Sequence, residues 1–364
     1  AAVAGLAALG CRGMGGSGSA RQEKSLAVVA NEGGKSLSVI DLETLRVTST
    51  LALPVPPSRV IANPSRQELY VLSQSAGSVA VVALPAGKVE RQVHLGGRPI
   101  EAILSADGSA LYIVNSAANN VALLDVASGK VYAQLHVGTQ PEFAAFSPDG
   151  HLLLVSNRNS NTVSIIGLSE GPGQGGGRAA KVLGEIAVGS QPGPLAIRPD
   201  GKQAFVANRG DGTVSVLDLS ARAVLSHLET GSQPVSLALK PDGGELFVAN
   251  AEGESIGIVN TYGDEVSQSL VAGKHPARLA IDPAGALLFY TNAESAALSM
   301  VNIATRQRLP TVALGSRSGA LVSSPTGRYL LVLGPASDDL SVIDPTVPSL
   351  VTKIDRKSTR LNSS

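Results

Sequence analysis

The chain has 364 residues, and its 29 Lys and Arg residues balance 29 Asp and Glu residues, so that the formal net charge is zero. A neutral chain has no global field of the kind that draws a protein to nucleic acid or to an anionic membrane surface. The single cysteine excludes an internal disulfide and a metal site built from several cysteines.

Residues 1–11 are mostly small and apolar and run into Cys11, which resembles the end of a bacterial lipoprotein export signal. In such signals the cysteine becomes lipidated, and the protein then touches the membrane only through this anchor. The order Ala8-Leu9-Gly10 inverts the usual Leu-Ala order, and the remnant of an ordinary signal peptide is the alternative. Both interpretations predict an exported protein, either periplasmic or on the cell surface. Residues 12–24 are rich in Gly and Ser and are predicted to form a flexible linker.

One pattern recurs from residue 25 to residue 354 and organises the chain. Its anchor is the last residue of Phe205-Val-Ala-Asn208, and the copies are 42 residues apart except for one interval of 51. The anchor positions are Asn31, Ser73, Asn115, Asn157, Asn208, Asn250, Asn292 and Gly334. Each copy reads as four short strands, and units of about 40–45 residues with four strands are typical of propeller blades. We therefore predict a single all-β propeller over residues 25–354 with eight blades, and seven blades as the alternative.

Three stretches depart from the repeat. Blade 1 begins at its second strand near Leu26, so we expect it to lack an inner strand. The long interval carries the Gly-rich run Ser169–Arg178, which is predicted to enlarge a hairpin loop. Residues 355–364 match, residue for residue, the translation of a common sequencing-library adapter. We expect these residues to be a non-native tail that stands in place of a strand completing blade 1.

The repeat resembles a known family. Phe205-Val-Ala-Asn208, Phe247-Val-Ala-Asn250 and Phe289-Tyr-Thr-Asn292 each follow a Pro-x-Gly turn and precede another apolar strand. They are similar to YVTN-type β-propeller repeats, and the resemblance covers residues 25–354. It implies an exported bacterial or archaeal propeller that is related to the lactonase-like propellers.

An Asp or Asn residue ends the third strand of six copies. These residues are Asp41, Asp125, Asp218, Asn260, Asn302 and Asp344. A set of carboxylates at equivalent positions could bind metal, but interchange with Asn at the start of a turn is typical of Asx-turn capping. We therefore predict a structural role for these residues.

In propellers the ligand site usually lies on the face that carries the loops between the second and third strands and the links into the inner strands. The candidate ligand-binding residues at this channel mouth are Arg59, Arg98, Glu101, His275, Arg278 and Arg317. Arginine is suited to bidentate binding of carboxylate or phosphate, so the predicted partner is a small anionic ligand or an acidic peptide or protein. No spacing of His and carboxylates matches a metal site, and neither a metal nor a cofactor is predicted.

The predicted function is that of an exported, non-enzymatic binding protein or surface-associated scaffold with a ligand site at the channel mouth. The family resemblance leaves two alternatives open. A lactonase-like hydrolase would need His, Arg and Glu side chains that converge at the channel mouth. A haem-binding propeller related to nitrite reductase domains would need histidines that converge on the channel.

Overall fold

The structure, a computed structural model, describes residues 6–12, 23–84, 86–172, 178–324, 326–334 and 337–356. These residues form eight sheets, each of four antiparallel strands that follow one another along the chain. A single 3₁₀ turn at Ser116–Ala118 is the only helical element of the described residues. The predicted all-β fold with eight four-stranded blades is confirmed, and the alternative of seven blades is wrong.

The chain forms two compact units, and unit 1 consists of residues 1–94, 296–299 and 309–364. It contains blades 1, 2 and 8. Blade 1 has β1 (Leu6–Arg12), β2 (Glu23–Asn31), β3 (Ser36–Asp41) and β4 (Arg46–Ala52). Blade 2 has β5 (Arg59–Asn63), β6 (Glu68–Ser73), β7 (Ser78–Ala83) and β8 (Lys88–His94). Blade 8 has β29 (Leu321–Ser323), β30 (Leu330–Gly334), β31 (Asp339–Asp344) and β32 (Ser349–Asp355).

Unit 2 consists of residues 95–295 and 300–308 and contains blades 3 to 6 and most of blade 7. Blade 3 has β9 (Pro99–Leu104), β10 (Ala110–Asn115), β11 (Asn120–Asp125) and β12 (Lys130–His136). Blade 4 has β13 (Pro141–Phe146), β14 (Leu152–Asn157), β15 (Thr162–Pro172) and β16 (Arg178–Ala187). Blade 5 has β17 (Pro192–Ile197), β18 (Gln203–Asn208), β19 (Thr213–Asp218) and β20 (Ala223–Glu229). Blade 6 has β21 (Pro234–Leu239), β22 (Glu245–Asn250), β23 (Ser255–Asn260) and β24 (Glu265–Val271), and blade 7 has β25 (Pro276–Ile281), β26 (Leu287–Asn292), β27 (Ala297–Asn302) and β28 (Arg308–Ala313).

Blade 1 has the inner strand that the sequence was expected to lack. β1 pairs with β2 along its whole length, from Leu6 opposite Val29 to Arg12 opposite Glu23. The expectation was wrong because an apolar run can serve as a strand as well as an export signal, and pairing satisfies the backbone groups at the edge of β2. The two roles exclude each other, since cleavage before Cys11 would remove residues 6–10 from β1. The export signal in residues 1–11 stays a prediction. Most of the predicted linker, residues 13–22, lies outside the described residues.

The two middle strands of each blade form the core. β10 is buried along its whole length, whereas the outer strand β4 alternates between exposed and half-buried residues. Middle strands of neighbouring blades share apolar clusters, such as the one between blades 3 and 4, which contains Tyr112 and Leu153. There the Tyr112 ring meets the Phe146 ring edge to face, with 5.1 Å between the ring centroids. Burial on both faces explains why these strands read as continuous apolar runs.

Polar residues within this core have local partners. Asn208 donates to the hydroxyls of Thr213 and Ser215 at 2.9 and 2.8 Å, and Asn157 makes the equivalent bonds in blade 4. The Asx residues accept from backbone N–H groups of the turns that follow, as Asp218 does from Ser220 and Ala221 at 2.8 Å. The same type of bond is made by Asp41, Asp125, Asn260, Asn302 and Asp344. The predicted capping role is therefore confirmed.

The Gly-rich insertion of blade 4 lengthens a hairpin. β15 and β16 pair from Thr162 opposite Ala187 to Pro172 opposite Arg178, so strand residues make up both ends of the predicted loop. Residues 173–177, between the two strands, lie outside the described residues.

Arg356 continues the repeat into the predicted non-native tail. Its backbone N–H donates to the Asp338 carbonyl, as the N–H of Leu314 donates to the Ala296 carbonyl. The residues at this repeat position are Leu53, Leu95, Val137, Val188, Thr230, Ala272, Leu314 and Arg356. The Arg356 side chain is buried, lies within 3.3 Å of an Asp338 carboxylate oxygen, and donates to Asn31 Oδ1 at 2.9 Å. Residues 357–364 lie outside the described residues, and the non-native origin of the tail stays a prediction.

We expect Arg356→Leu to raise the melting temperature. The position holds an apolar residue in six blades, burial lowers the pKa of the Arg356 guanidinium, and its Nε has no hydrogen-bond partner. Removing one partner of an ion pair is strongly destabilising when it leaves the other charge buried, but Asp338 is 35% exposed and can be hydrated once Arg356 is replaced. Thermal unfolding followed by circular dichroism measures the change. The reverse change, Leu314→Arg, should lower the melting temperature, and a lower melting temperature for Arg356→Leu would contradict the expectation.

The Asx turns predict how stability depends on pH. Hydrogen bonds from the Thr346 hydroxyl and from the N–H groups of Thr346 and Val347 lower the pKa of Asp344. A carboxylate with a lowered folded-state pKa stabilises the fold above its unfolded pKa of about 3.9, and this contribution disappears as the pH falls through the folded pKa. Asp344→Asn keeps the acceptor oxygen but does not titrate. Urea unfolding at pH 6 should therefore be similar for both proteins, and acidification should destabilise the parent more. Equal acid sensitivity of the two proteins would contradict this.

Candidate functional site

In each blade of unit 2, the link into the inner strand packs against the loop between the second and third strands. The N–H of Ser116 donates to the Arg98 carbonyl at 2.9 Å, and the N–H of Ala293 donates to the His275 carbonyl at 2.8 Å. The N–H of Arg209 bonds the Gln191 carbonyl at 3.1 Å in the same way. We call this end of a blade, formed by the link and the loop, its rim end. Because these bonds use backbone atoms, they set no requirement on the side chains of the residues that make them.

The residues predicted to bind a ligand all lie at rim ends. They are Arg59 in blade 2, Arg98 and Glu101 in blade 3, His275 and Arg278 in blade 7, and Arg317 in blade 8. Two of them belong to unit 1 and four to unit 2. The structure thus brings them together in pairs within blades 3 and 7, and their convergence as one site stays a prediction.

In blade 7, His275 is partnered by a carboxylate. It has a φ of +50°, as do Gln140, Gln191 and Gln233 within a few degrees at the same link position. Its Nε2 lies 3.9 Å from Glu294 Oε1, and the two side chains are 45% and 57% exposed. A contact between side chains this exposed contributes little to stability because water screens it. Arg278 is exposed and lies opposite Thr291 where β25 pairs with β26. It also makes an interaction with another residue.

The other predicted residues are similarly open. Arg98 is exposed, and its backbone N–H donates to Asn115 Oδ1 at 2.6 Å. Glu101 is half-buried, and its Oε1 accepts from the Ala102 N–H at 3.0 Å. In unit 1, Arg59 is half-buried at the start of β5, and Arg317 is exposed in the link before β29.

An ion pair that no sequence motif predicts joins the rim ends of blades 4 and 5. Arg209 follows β18, and its Nη1 lies 3.2 Å from Oε1 of Glu142 in β13. Both side chains are only about a fifth exposed, at 21% and 23%. The guanidinium also lies 5.8 Å from the centroid of the Phe143 ring. A Cβ atom at Gly193 would lie 3.2 Å from Arg209 Nε, so glycine leaves room for the arginine against the inner strand.

Arg158 occupies the same loop position in blade 4 as Arg209 does in blade 5. Its Nη2 is 3.4 Å from Oε1 of Gln191, the link residue that enters blade 5. Gln191 is neutral, so this contact leaves the positive charge of Arg158 uncompensated. The position directly after the repeat asparagine was the signal that could have identified both arginines, because its residue varies among the blades of unit 2 while its backbone N–H makes the same bond in each of them.

The one Ser–His contact of the described residues has a structural setting. Ser215 Oγ and His227 Nδ1 are 3.0 Å apart in blade 5. Ser215 is fully buried, and its hydroxyl also accepts from Asn208 Nδ2, so a substrate has no access to it. In the described residues, no three His, Cys, Asp or Glu side chains lie where they could jointly hold a metal ion. That same part of the chain has no helix of the length and apolarity needed to cross a membrane.

Comparisons with solved structures find propellers of several kinds. The dihydro-heme d1 dehydrogenase NirN in complex with DHE is 15% identical, with a TM-score of 0.76 over 90% of this chain and 72% of that chain. Kuenenia stuttgartiensis hydrazine synthase is 23% identical, with a TM-score of 0.56 over 68% of this chain and 76% of that chain. A functionally unknown protein from Desulfotomaculum acetoxidans is 15% identical, with a TM-score of 0.61 over 78% and 94%. At these identities the similarity establishes the fold alone.

Comparison with protein families gives a partial match. The family described as lactonase, 7-bladed β-propeller, matches residues 98–175, which form blade 3 and much of blade 4. A search of the curated proteins gives no match. The chain is therefore a propeller with a lactonase-like segment, and this segment includes Glu142 and Arg158 from the rim ends.

Proposed function

We propose that the protein is an exported, non-enzymatic ligand-binding propeller that binds anionic groups at the rim ends of its blades. The observation that carries the proposal is that backbone atoms, not side chains, make the structural hydrogen bonds between the link and the loop at these ends. Backbone atoms of Arg98 and Gln191 make the hydrogen bonds that the fold requires, and their side-chain N–H groups remain available for a ligand. Surface positions that the fold leaves unconstrained are where binding residues commonly lie.

The Arg158–Gln191 contact is the proposed centre of the site in unit 2. Gln191 accepts from Arg158 through Oε1, which leaves its amide N–H groups able to donate to a ligand. A carboxylate or phosphate beside this pair would accept charge-assisted hydrogen bonds from the guanidinium as well. Arg209 plays a different part, because Glu142 already neutralises it and holds it over the inner strand. The proposed partner is a small anionic ligand or the acidic end of a peptide.

A lactonase-like hydrolase is the second candidate, and the match of residues 98–175 favours it. Hydrolysis would require a general base that reaches a bound lactone. Glu142 pairs with Arg209, and His275 lies near Glu294 at the rim end of blade 7. Assays of the purified protein with five- and six-membered lactones test this candidate directly, and turnover that Glu142→Gln abolishes would establish it in place of the binding role.

The haem-binding alternative fits the residues poorly. No inner strand contains a histidine, and His275 is the one histidine of the described residues that directly precedes an inner strand. Its imidazole lies beside the Glu294 carboxylate at a half-exposed position. The fold likeness to NirN therefore comes without a set of histidines that would hold a haem.

Calorimetry with citrate and with a tetra-glutamate peptide tests the binding role. We expect binding to the parent that weakens with added salt, because exposed charges are screened. Arg158→Gln should weaken it about tenfold, the effect expected for the loss of a charge-assisted contact of about 1.4 kcal/mol. Arg278→Ala and Arg317→Ala report on the predicted site residues in the same way. Arg222→Gln, an exposed arginine in the turn between β19 and β20, is the matched control. If neither probe binds, or if all variants bind alike, the proposal is wrong.

A further inference from the structure

Blade 7 departs from the repeat at two positions that are aliphatic in every other blade. The second residue before the anchor is Tyr290 in blade 7. In the other blades it is Val29, Val71, Ile113, Val155, Val206, Val248 or Val332. The second departure is Arg308, at the start of the outer strand. Its equivalents are Val47, Val89, Val131, Val182, Val224, Val266 and Leu350.

In several blades the aliphatic residue equivalent to Arg308 packs into the layer between two blades, although Val266 and Leu350 are exposed. Val89 packs against the cluster shared by blades 1 and 2, and Val182 against the cluster of blades 3 and 4. Val224 does the same for blades 4 and 5. An arginine at this position cannot replace the valine, because its charge must stay solvated or find a partner.

A cavity lies between blades 6 and 7 beside these two residues. Its volume is about 400 Å³, and its walls are formed by Ile256, Leu270, Val271, Tyr290, Val301, Arg306 and Arg308. Five of these residues are apolar or aromatic, and the two arginines supply positive charge. A concave, mostly apolar cavity with a few polar groups, of about 300–1,000 Å³, is the usual form of a small-molecule site.

The polar side chains that line this cavity differ in whether they already have a hydrogen-bond or ion-pair partner within the protein. Arg306 forms an ion pair with Glu245 and donates to the Ile303 carbonyl, so it is committed to the fold. Arg308 is exposed and has no carboxylate partner among the described residues. Tyr290 is only 2% exposed, and its hydroxyl makes no hydrogen bond to another described residue. Tyr290 lines the cavity, so a ligand in the cavity could accept a hydrogen bond from its hydroxyl.

We propose that this cavity binds a small amphipathic carboxylate. The carboxylate accepts hydrogen bonds from the Arg308 guanidinium and the Tyr290 hydroxyl, and the apolar body of the ligand packs against the aliphatic walls. Binding would fill the space that a valine fills between several other blades. It would also give the Tyr290 hydroxyl and the Arg308 guanidinium a hydrogen-bond acceptor. The site shares no residue with the rim-end site proposed above, and either can exist without the other.

Calorimetry with octanoate tests the proposal, with octanamide as the uncharged probe of the same shape. We expect octanoate to bind and octanamide to bind at least tenfold more weakly. Arg308→Val restores the residue of the other blades and should weaken octanoate binding at least tenfold while raising the melting temperature of the free protein. Tyr290→Phe removes only the hydroxyl and should weaken binding severalfold. Arg46→Val, a change of an exposed arginine at the start of β4, should leave binding unchanged.

Nuclear magnetic resonance locates the bound probe. Octanoate should shift the methyl signals of Leu270 and Val301, and the shifts should disappear in Arg308→Val. The proposal is overturned if octanoate does not bind, if octanamide binds equally well, or if Arg308→Val binds as the parent does. Shifts confined to methyl groups outside the cavity would overturn it too, since they would place the probe elsewhere.

Discussion

Burial of the middle strands on both faces is the constraint on which the rest of the structure depends. A sheet of this kind needs an apolar neighbour on each side, so blades within a unit cover one another in turn. The Tyr112–Phe146 contact between blades 3 and 4 is one instance, and the cluster of blades 1 and 8 around Leu331 and Ile40 is another. The repeat length keeps these layers in register along the chain.

This constraint decides which side chains are available for function. Polar groups inside the layers are bonded to local partners, as Asn208 Nδ2 is to the hydroxyls of Thr213 and Ser215. The Asx residues are committed in the same way to the turns that they cap. At the rim ends the backbone makes the required bonds, so Arg158 and Arg98 can vary at little cost to stability. Function is therefore expected where the fold makes no demand on side chains.

The sequence was enough to predict features that repeat or that act locally. Spacing predicted eight blades, and the Asp or Asn that ends the third strand of six copies predicted the turn caps. The prediction from the sequence failed for β1, because small apolar residues occur both in export signals and in strands. Only the pairing with β2 shows that these residues form a strand. The Glu142–Arg209 ion pair was not predicted, because its partners are 67 residues apart in the sequence and neither belongs to a local motif. The cavity beside Tyr290 depends on distances that no pattern of residues specifies.

Residues that depart from the repeat have different structural explanations, and the burial and partners of each side chain distinguish these explanations. At a rim end a change of residue costs the fold little, so an arginine there needs no partner within the fold. Arg356 departs at a buried position, yet Asn31 and Asp338 engage its guanidinium, which accounts for it within the fold. Tyr290 and Arg308 depart at inter-blade positions, border one cavity, and have no partner among the described residues. A bound carboxylate is the simplest group that would accept hydrogen bonds from both.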